Sequence, residues 1–380
     1  MKKTIYLDNA ATTSLDPRVL EAMMPFLTDV YGNGSSIHTM GRKAKSAVEN
    51  ARKKVAALLN TSPSEIFFTS GGTEANNTVL RGVAESMGIQ HFITSPLEHH
   101  AVLHPLEHFE KSGNAHLHLI EPEQNGALSM ENLEALLKMH QPALVSLMHG
   151  NNEIGNILNI EEVAALCREH KALFHSDTVQ TVGKLPIDLQ AWNIDFINGS
   201  GHKFHGPKGV GFLYINARNQ IAPYMMGGAQ ERNMRGGTEN VAGIVGLAAA
   251  LELAINEREA RKSKILSLKS HFKNSLVESI PGVQFNGASG DLENSLYHVL
   301  NVSFPAHPDN EMLLFSLDIE GICVSGGSAC SSGTDIGSHV LSALQVPEER
   351  ANIRFSFCEH NTKEELDQVM EILKRILTSK

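Results

Sequence analysis

An α/β fold is expected, with a large domain built on a mostly parallel sheet and a smaller α+β C-terminal domain. Two observations predict it. Helical apolar periods of about 3.6 residues alternate with short apolar runs through the first two-thirds of the chain, as βαβ units require. Beyond Asn240 that alternation stops, and an Ala-rich helix leads through a charged stretch into a different mix of strands and helices.

In chain order, Ala44, Ala47, Val48, Ala51, Val55, Leu58 and Leu59 share one helical face that ends at Asn60. Ile66 to Thr69 reads as a strand, and Gly71-Gly72 opens a helix running from Ala75 to Val83. Leu144 to Met148 and Ala172 to Phe174 read as buried strands, with a helix from Ile160 to His170 between them. Unbroken apolar runs suit strands covered on both faces. Val241 to Ile255 is the Ala-rich helix, and the charges from Asn256 to Lys264 mark a domain junction. The expected domains are residues 15–256, and residues 257–380 together with 1–14. Strands follow near Val299–Phe304, Ile322–Ser325 and Ile353–Phe357. The last helix opens on Thr362-Lys-Glu-Glu365, a capping-box spacing, with Leu366, Val369, Met370, Leu373, Ile376 and Leu377 as its apolar stripe.

The 380 residues are 42% hydrophobic and 19% charged, which supports large cores and argues against disorder. A formal net charge of −10 disfavours a general nucleic-acid or anionic-membrane binder. Asp8 and Asn9 end the N-terminal apolar run too early for a signal peptide, and no stretch reaches the length of a membrane span. Cys167, Cys323, Cys330 and Cys358 lack metal-ligand spacing, and the 19 histidines form no H-E-x-x-H motif, so no metal is expected. The setting that fits is the cytoplasm.

Ligands of open α/β sheets bind beyond the carboxyl ends of the strands, and three such ends carry unusual chemistry. At Thr69-Ser-Gly-Gly-Thr-Glu-Ala-Asn76, glycines lead into a helix start beside the Thr73 hydroxyl, which makes a phosphate cradle. At Phe174-His-Ser-Asp177-Thr-Val-Gln180, an aspartate can hold the ring nitrogen of a pyridine protonated, and Gln180 can donate to a ring oxygen. At Ser200-Gly-His-Lys203, a lysine among glycines can be desolvated into an amine nucleophile able to form a Schiff base with an aldehyde. Ser200 and His202 add phosphate donors. Cradle, acid partner and lysine are the parts that pyridoxal 5′-phosphate needs.

Together with Asn9-Ala-Ala-Thr-Thr13, Glu98-His99, Asn151-Asn-Glu-Ile-Gly155, Arg235-Gly-Gly-Thr238 and Ser328-Ala-Cys330, these segments recur in an order that resembles the class I cysteine desulfurases. Those are fold-type-I pyridoxal phosphate enzymes of aminotransferase class V. The resemblance runs from about residue 5 to residue 375 and implies a role for each residue. Lys203 would carry the cofactor, with Asp177 on the pyridinium nitrogen and Gln180 on the ring oxygen. His99 would stack on the ring and move protons. Thr73, Ser200 and His202 would hold the phosphate, joined by Thr238 of the second subunit in a homodimer. Asn152 and Arg354 would receive the carboxylate of L-cysteine. Cys330, in a Gly- and Ser-rich segment, would take the substrate's sulfur as a persulfide for a sulfur-acceptor protein, a scaffold or carrier serving iron–sulfur clusters or thiolation, and leave L-alanine.

Three positions depart from the common family form: Ser176 for valine, Thr178 for alanine and Gly236 for serine. A selenocysteine lyase or another class V pyridoxal phosphate reaction stays open, although an aminotransferase has no use for Cys330. A cofactor-free sulfur carrier is the reading from another class, and the intact Lys203 and Asp177 count against it.

Overall fold

The computed structural model describes residues 4–307, 310–326 and 337–378, so Cys330 lies outside the described residues. In chain order the strands are β1 (Ile5–Tyr6), β2 (Ile66–Thr69), β3 (His91–Thr94), β4 (His116–Leu119), β5 (Ala143–Ser146) and β6 (Leu173–Ser176), followed by β7 (Phe196–Ser200), β8 (Gly211–Ile215), β9 (Gln284–Phe285), β10 (Val299–Ser303), β11 (Ile322–Cys323) and β12 (Asn352–Ser356).

Seven strands form the main sheet in the order β2-β8-β7-β6-β5-β3-β4. Its pairs are parallel except at β8, which runs antiparallel to both β2 and β7. The two-residue period of each strand divides its apolar side chains between two helical layers. Val145, Ile197 and Phe212 face Val55, Val163 and Leu251 on one side. Leu144, Phe196 and Leu213 face Val79, Val83 and Val102 on the other. Burial on both faces explains the continuous apolar runs that mark these strands in the sequence.

A further core gathers around the antiparallel set β12-β10-β9, where Phe272 meets Phe355 edge-on at 4.9 Å between ring centroids. Ile5 and Leu7 enter this core from the start of the chain, because β1 pairs in parallel with β11, Ile5 opposite Ile322.

Several boundaries differ from the sequence expectation. The charged residues 256–264 are helical, since the helix Arg258–Ser279 follows the helix Val241–Asn256 with only Glu257 between them. Arg261 and Arg18 both bind Glu257, at 2.7 and 2.5 Å, which fixes the corner. β5 ends at Ser146, so Met148 leaves the sheet instead of completing the strand. The Thr362 capping box is present in both directions, with Glu365 N donating to Thr362 Oγ1 at 3.2 Å and Thr362 N to Glu365 Oε2 at 3.3 Å.

Candidate active site

Lys203 ends a short 3₁₀ turn, Gly201–Lys203, directly after β7. Close packing sets the approach: a Cβ at Gly199 would lie 2.2 Å from the Phe212 ring, so only glycine fits. The Lys203 Nζ donates to the carbonyl oxygens of Ala10 at 2.7 Å and Ala11 at 2.9 Å. A second amine, Lys184, donates to Lys203 O at 2.9 Å, and burial together with the Lys203 charge lowers it to about 7.

Asp177 follows β6, and both of its oxygens are held. Asn76 donates to Oδ2 at 2.7 Å and the Val179 N–H to Oδ1 at 3.0 Å. Asn76 in turn accepts from Asn198 Nδ2, and Asn198 Oδ1 accepts from the Thr178 N–H at 3.0 Å. The Thr178 hydroxyl, a departure from the family's alanine, donates to Asn198 O and so belongs to the same network. Gln180 Nε2 donates to Ala10 O at 2.9 Å, while its Oε1 accepts from His298 Nε2 at 3.3 Å.

His99 caps the helix His100–Lys111. Its Nδ1 accepts the Ala101 N–H at 3.0 Å, which places the proton of the neutral ring on Nε2. Burial lowers the His99 pKa, opposed by the Asp177 charge and assisted by Lys203. Nearby, burial pushes the Glu98 carboxyl well above the usual range, and Glu98 Oε1 accepts from Met148 N at 2.6 Å.

The helix Gly72–Ser86 begins at Gly71, whose φ of 154° disfavours side chains and which supplies no side-chain cap. Its first N–H groups are therefore open to an anion. Thr73, Ser200 and His202 border them, and His202 is fixed by a 3.1 Å contact between its Nδ1 and Thr12 Oγ1.

Arg354 lies on β12, only 1% exposed. Its Nη1 donates to Asn152 O at 3.0 Å and its Nη2 to Asp8 Oδ1 at 2.8 Å, while Nε has no partner among the described residues. The Arg354 main chain also pairs with Ser325, at 2.7 and 3.3 Å, just before the segment that contains Cys330.

One cavity of about 210 Å³ is lined by Thr73, His99, Asn152, Asp177, Gln180, Ser200, His202, Lys203 and Arg354. Thr238 is apart from them, exposed and bordering a separate hollow of about 110 Å³ with Arg235 and Glu239. Gly236 packs on Gly227, where a Cβ would lie 2.7 Å from the Gly227 Cα; this explains why serine is absent there. Sequence reasoning missed the roles of Asn76, Asn198, Ala10 and His298. Asn76 stands inside a quoted motif, but nothing in a string of residues says that its amide points at Asp177.

The donor set fits an aldehyde-bearing pyridine phosphate: a buried carboxylate held in place, a primary amine, and an open helix start among hydroxyls. The comparisons agree. The family model described as Aminotransferase class-V matches residues 5–369. The chain belongs to this family of pyridoxal 5′-phosphate enzymes. Among its relatives are the cysteine desulfurase IscS of Dictyoglomus turgidum, 44% identical over 99% of this chain and 95% of that protein, and the putative cysteine desulfurase IscS 1 of Bacillus subtilis, 44% identical over 98% and 99%. A solved NifS-like protein superposes with a TM-score of 0.90 at 39% identity, covering 99% of this chain and 100% of that one. SspA in complex with cysteine superposes with a TM-score of 0.81 at 33% identity, covering 95% and 100%.

Proposed function

We propose that the chain is a pyridoxal phosphate-dependent cysteine desulfurase that converts L-cysteine to L-alanine and carries the sulfur as a persulfide on Cys330. The observation that supports this most is the meeting of nine sequence-predicted residues around one cavity. When bound, the cofactor supplies an electron sink adjoining the substrate's α-carbon. Asp177 would keep the ring nitrogen protonated, its carboxylate fixed by Asn76 and Val179. Lys203 would hold the aldehyde carbon and move protons. The neutral His99, with its proton on Nε2, would donate or accept a proton in the cavity. Arg354 would exchange its Asp8 contact for the substrate carboxylate, beside Asn152.

In the sulfur step, the Cys330 thiolate attacks the substrate sulfur, the carbon–sulfur bond breaks and a sulfur–sulfur bond forms. The electron pair left on carbon is taken up with a proton, so cysteine plus thiol gives alanine plus persulfide. Incubation with L-cysteine and a reductant should release alanine and sulfide in equal amounts. Cys330→Ser should still bind cysteine and change the cofactor's absorption, while sulfide release drops to background. Wild-type sulfide release by that variant would remove Cys330 from the mechanism.

We also propose a homodimer in which Thr238 completes the second subunit's phosphate site. Its place in a hollow separate from its own chain's cavity supports this, as does Met226, 81% exposed next to Gly236. Sedimentation of a fully active monomer would rule it out. The division into residues 15–256 and 257–380 with 1–14 belongs to the same proposal, as do a sulfur-acceptor protein and a cytoplasmic setting. The unpaired Cys167, Cys323 and Cys358 favour that setting. Among the described residues, no helix is long and apolar enough to cross a membrane.

A further inference from the structure

Four histidines meet at the opposite end of the main sheet from the cavity. His91 opens β3 and stands opposite His116 on β4, with His118 two residues further along the same face. His140 closes the helix Met130–Met139 just before β5, the other neighbour of β3. His91 Nδ1 and His118 Nε2 are 3.1 Å apart, and one ring nitrogen from each of His91, His118 and His140 lies within 4.8 Å of the other two. The His118 and His140 rings stack at 3.7 Å between centroids, and His116 stacks on His91 at 5.2 Å.

From these positions we infer that His91, His118 and His140 form a binding site for a borderline transition-metal dication such as zinc, with His116 at its rim. Imidazole nitrogens bind zinc at about 2.0–2.1 Å, so two ligands of a tetrahedral site are separated by roughly 3.3 Å. The His91–His118 pair already meets that spacing. The His140 nitrogen, within 4.8 Å of the other two, has to close by up to about 1.5 Å to reach that spacing, and the residue is half-buried at a helix end. Three nitrogen ligands with one open position favour zinc, copper, nickel or cobalt over magnesium or calcium, which take oxygen ligands. The Glu110 carboxylate, an acceptor for Leu117 N at 3.3 Å, brings negative charge close to the cluster.

The ligands come from three separate chain segments, which is why no spacing motif reveals them. A bound ion would join β4, β3 and the approach to β5, the outermost end of the sheet. The site includes none of the residues that line the cofactor cavity, although His118 is the third of the four residues of β4. It is therefore structural, and the catalytic residues do not share it.

Cobalt(II) alone is the probe, titrated into the pyridoxal phosphate-loaded enzyme carrying Cys330→Ser and followed by difference absorption. The expected result is one cobalt per chain with the intense visible bands of a four-coordinate site, no thiolate charge-transfer band, and displacement by zinc. His118→Gln and His140→Gln should each weaken binding at least tenfold, and His140→Gln should leave desulfurase turnover of the otherwise wild-type enzyme within twofold. His140 lies outside the strands, so its variant decides the matter if His118→Gln fails to fold. Unchanged affinity in His140→Gln, a weak six-coordinate spectrum, or a thiolate band would each overturn the site.

Discussion

In the proposed role of holding the cofactor's aldehyde carbon, Lys203 could not keep both of its carbonyl partners, because its nitrogen would have at most one hydrogen left to donate. The contacts to Ala10 and Ala11 therefore describe the free amine, and cofactor binding at Lys203 would release at least one of them. Lys203→Ala should retain weak, non-covalent cofactor binding through the helix start. Borohydride should then fix no cofactor to the chain, and turnover should fall by roughly 10²–10⁴-fold or more. Fixation at Lys184 or Lys208 instead would refute the assignment. Asn76 permits a finer test. Asn76→Ala leaves Asp177 Oδ2 without its donor and Asn198 Nδ2 with only the Gly72 carbonyl at 3.4 Å, which costs about 1–3 kcal/mol of stability. It should also lower kcat/KM about 10–100-fold, the usual range for a residue that orients a ligand-holding group. An unchanged cofactor spectrum and unchanged rate would show that Asp177 holds its position alone. That Lys203 and Asp177 line one cavity was anticipated from the chemistry at their strand ends, whereas Arg354 was anticipated only from the family resemblance. The Asn198–Asn76–Asp177 chain was not, since asparagine is common and its meaning here depends on where two amides point.

At the scale of elements, a buried ion pair, Arg52–Glu231, joins three segments outside the cavity. Arg52 Nη1 and Nη2 donate to the two Glu231 oxygens at 2.7 and 2.8 Å, and both side chains are 3% exposed. Glu231 also accepts the Phe68 N–H at 2.8 Å, so the pair fastens the helix Thr39–Leu58 and β2 to the segment leading to Thr238. Arg52→Met keeps the bulk but strands a buried carboxylate, which should destabilise the protein by about 3–5 kcal/mol in urea unfolding. A change below about 1 kcal/mol would mean that water reaches Glu231 in the folded state. Helices were the more legible elements: Ile160 to His170 was expected, and the structure has Ile160–Glu169. Strand ends were less so. The apolar run from Leu144 to Met148 continues past β5 because Met148 is apolar for a different reason, as part of the cavity wall.

For the whole molecule, acid should be the first stress to show. His175 is fully buried with its Nδ1 against Ser146 Oγ at 2.8 Å, and His149 lies against Trp192; burial lowers both to about 4. The unfolded chain binds these protons near pH 6.5, so between about 6.5 and 4 it holds more protons than the native state does. Stability is therefore fully present above pH 6.5 and should decline below it, by up to ~1.4 kcal/mol per pH unit for each group. Urea midpoints measured from pH 7.5 to 4.5 would check this: His175→Gln should make the decline shallower, with the remaining slope owed to His149, and a flat profile in the unmodified protein would refute both assignments. The overall architecture was legible because apolar periodicity records burial directly. The pairing of β1 with β11 was not, because two-residue strands carry no periodicity. That pairing has a consequence for biosynthesis. Residues 5–10 are held by Ile322, Cys323 and Ser356, which leave the ribosome well after them, and Ala10 N needs the Ser356 hydroxyl at 2.8 Å. The carbonyls beside Lys203 are thus set only after Ser356 has emerged. A nascent chain stalled before residue 320 should have a protease-sensitive N-terminus and bind no cofactor, so cofactor loading would be a post-translational event.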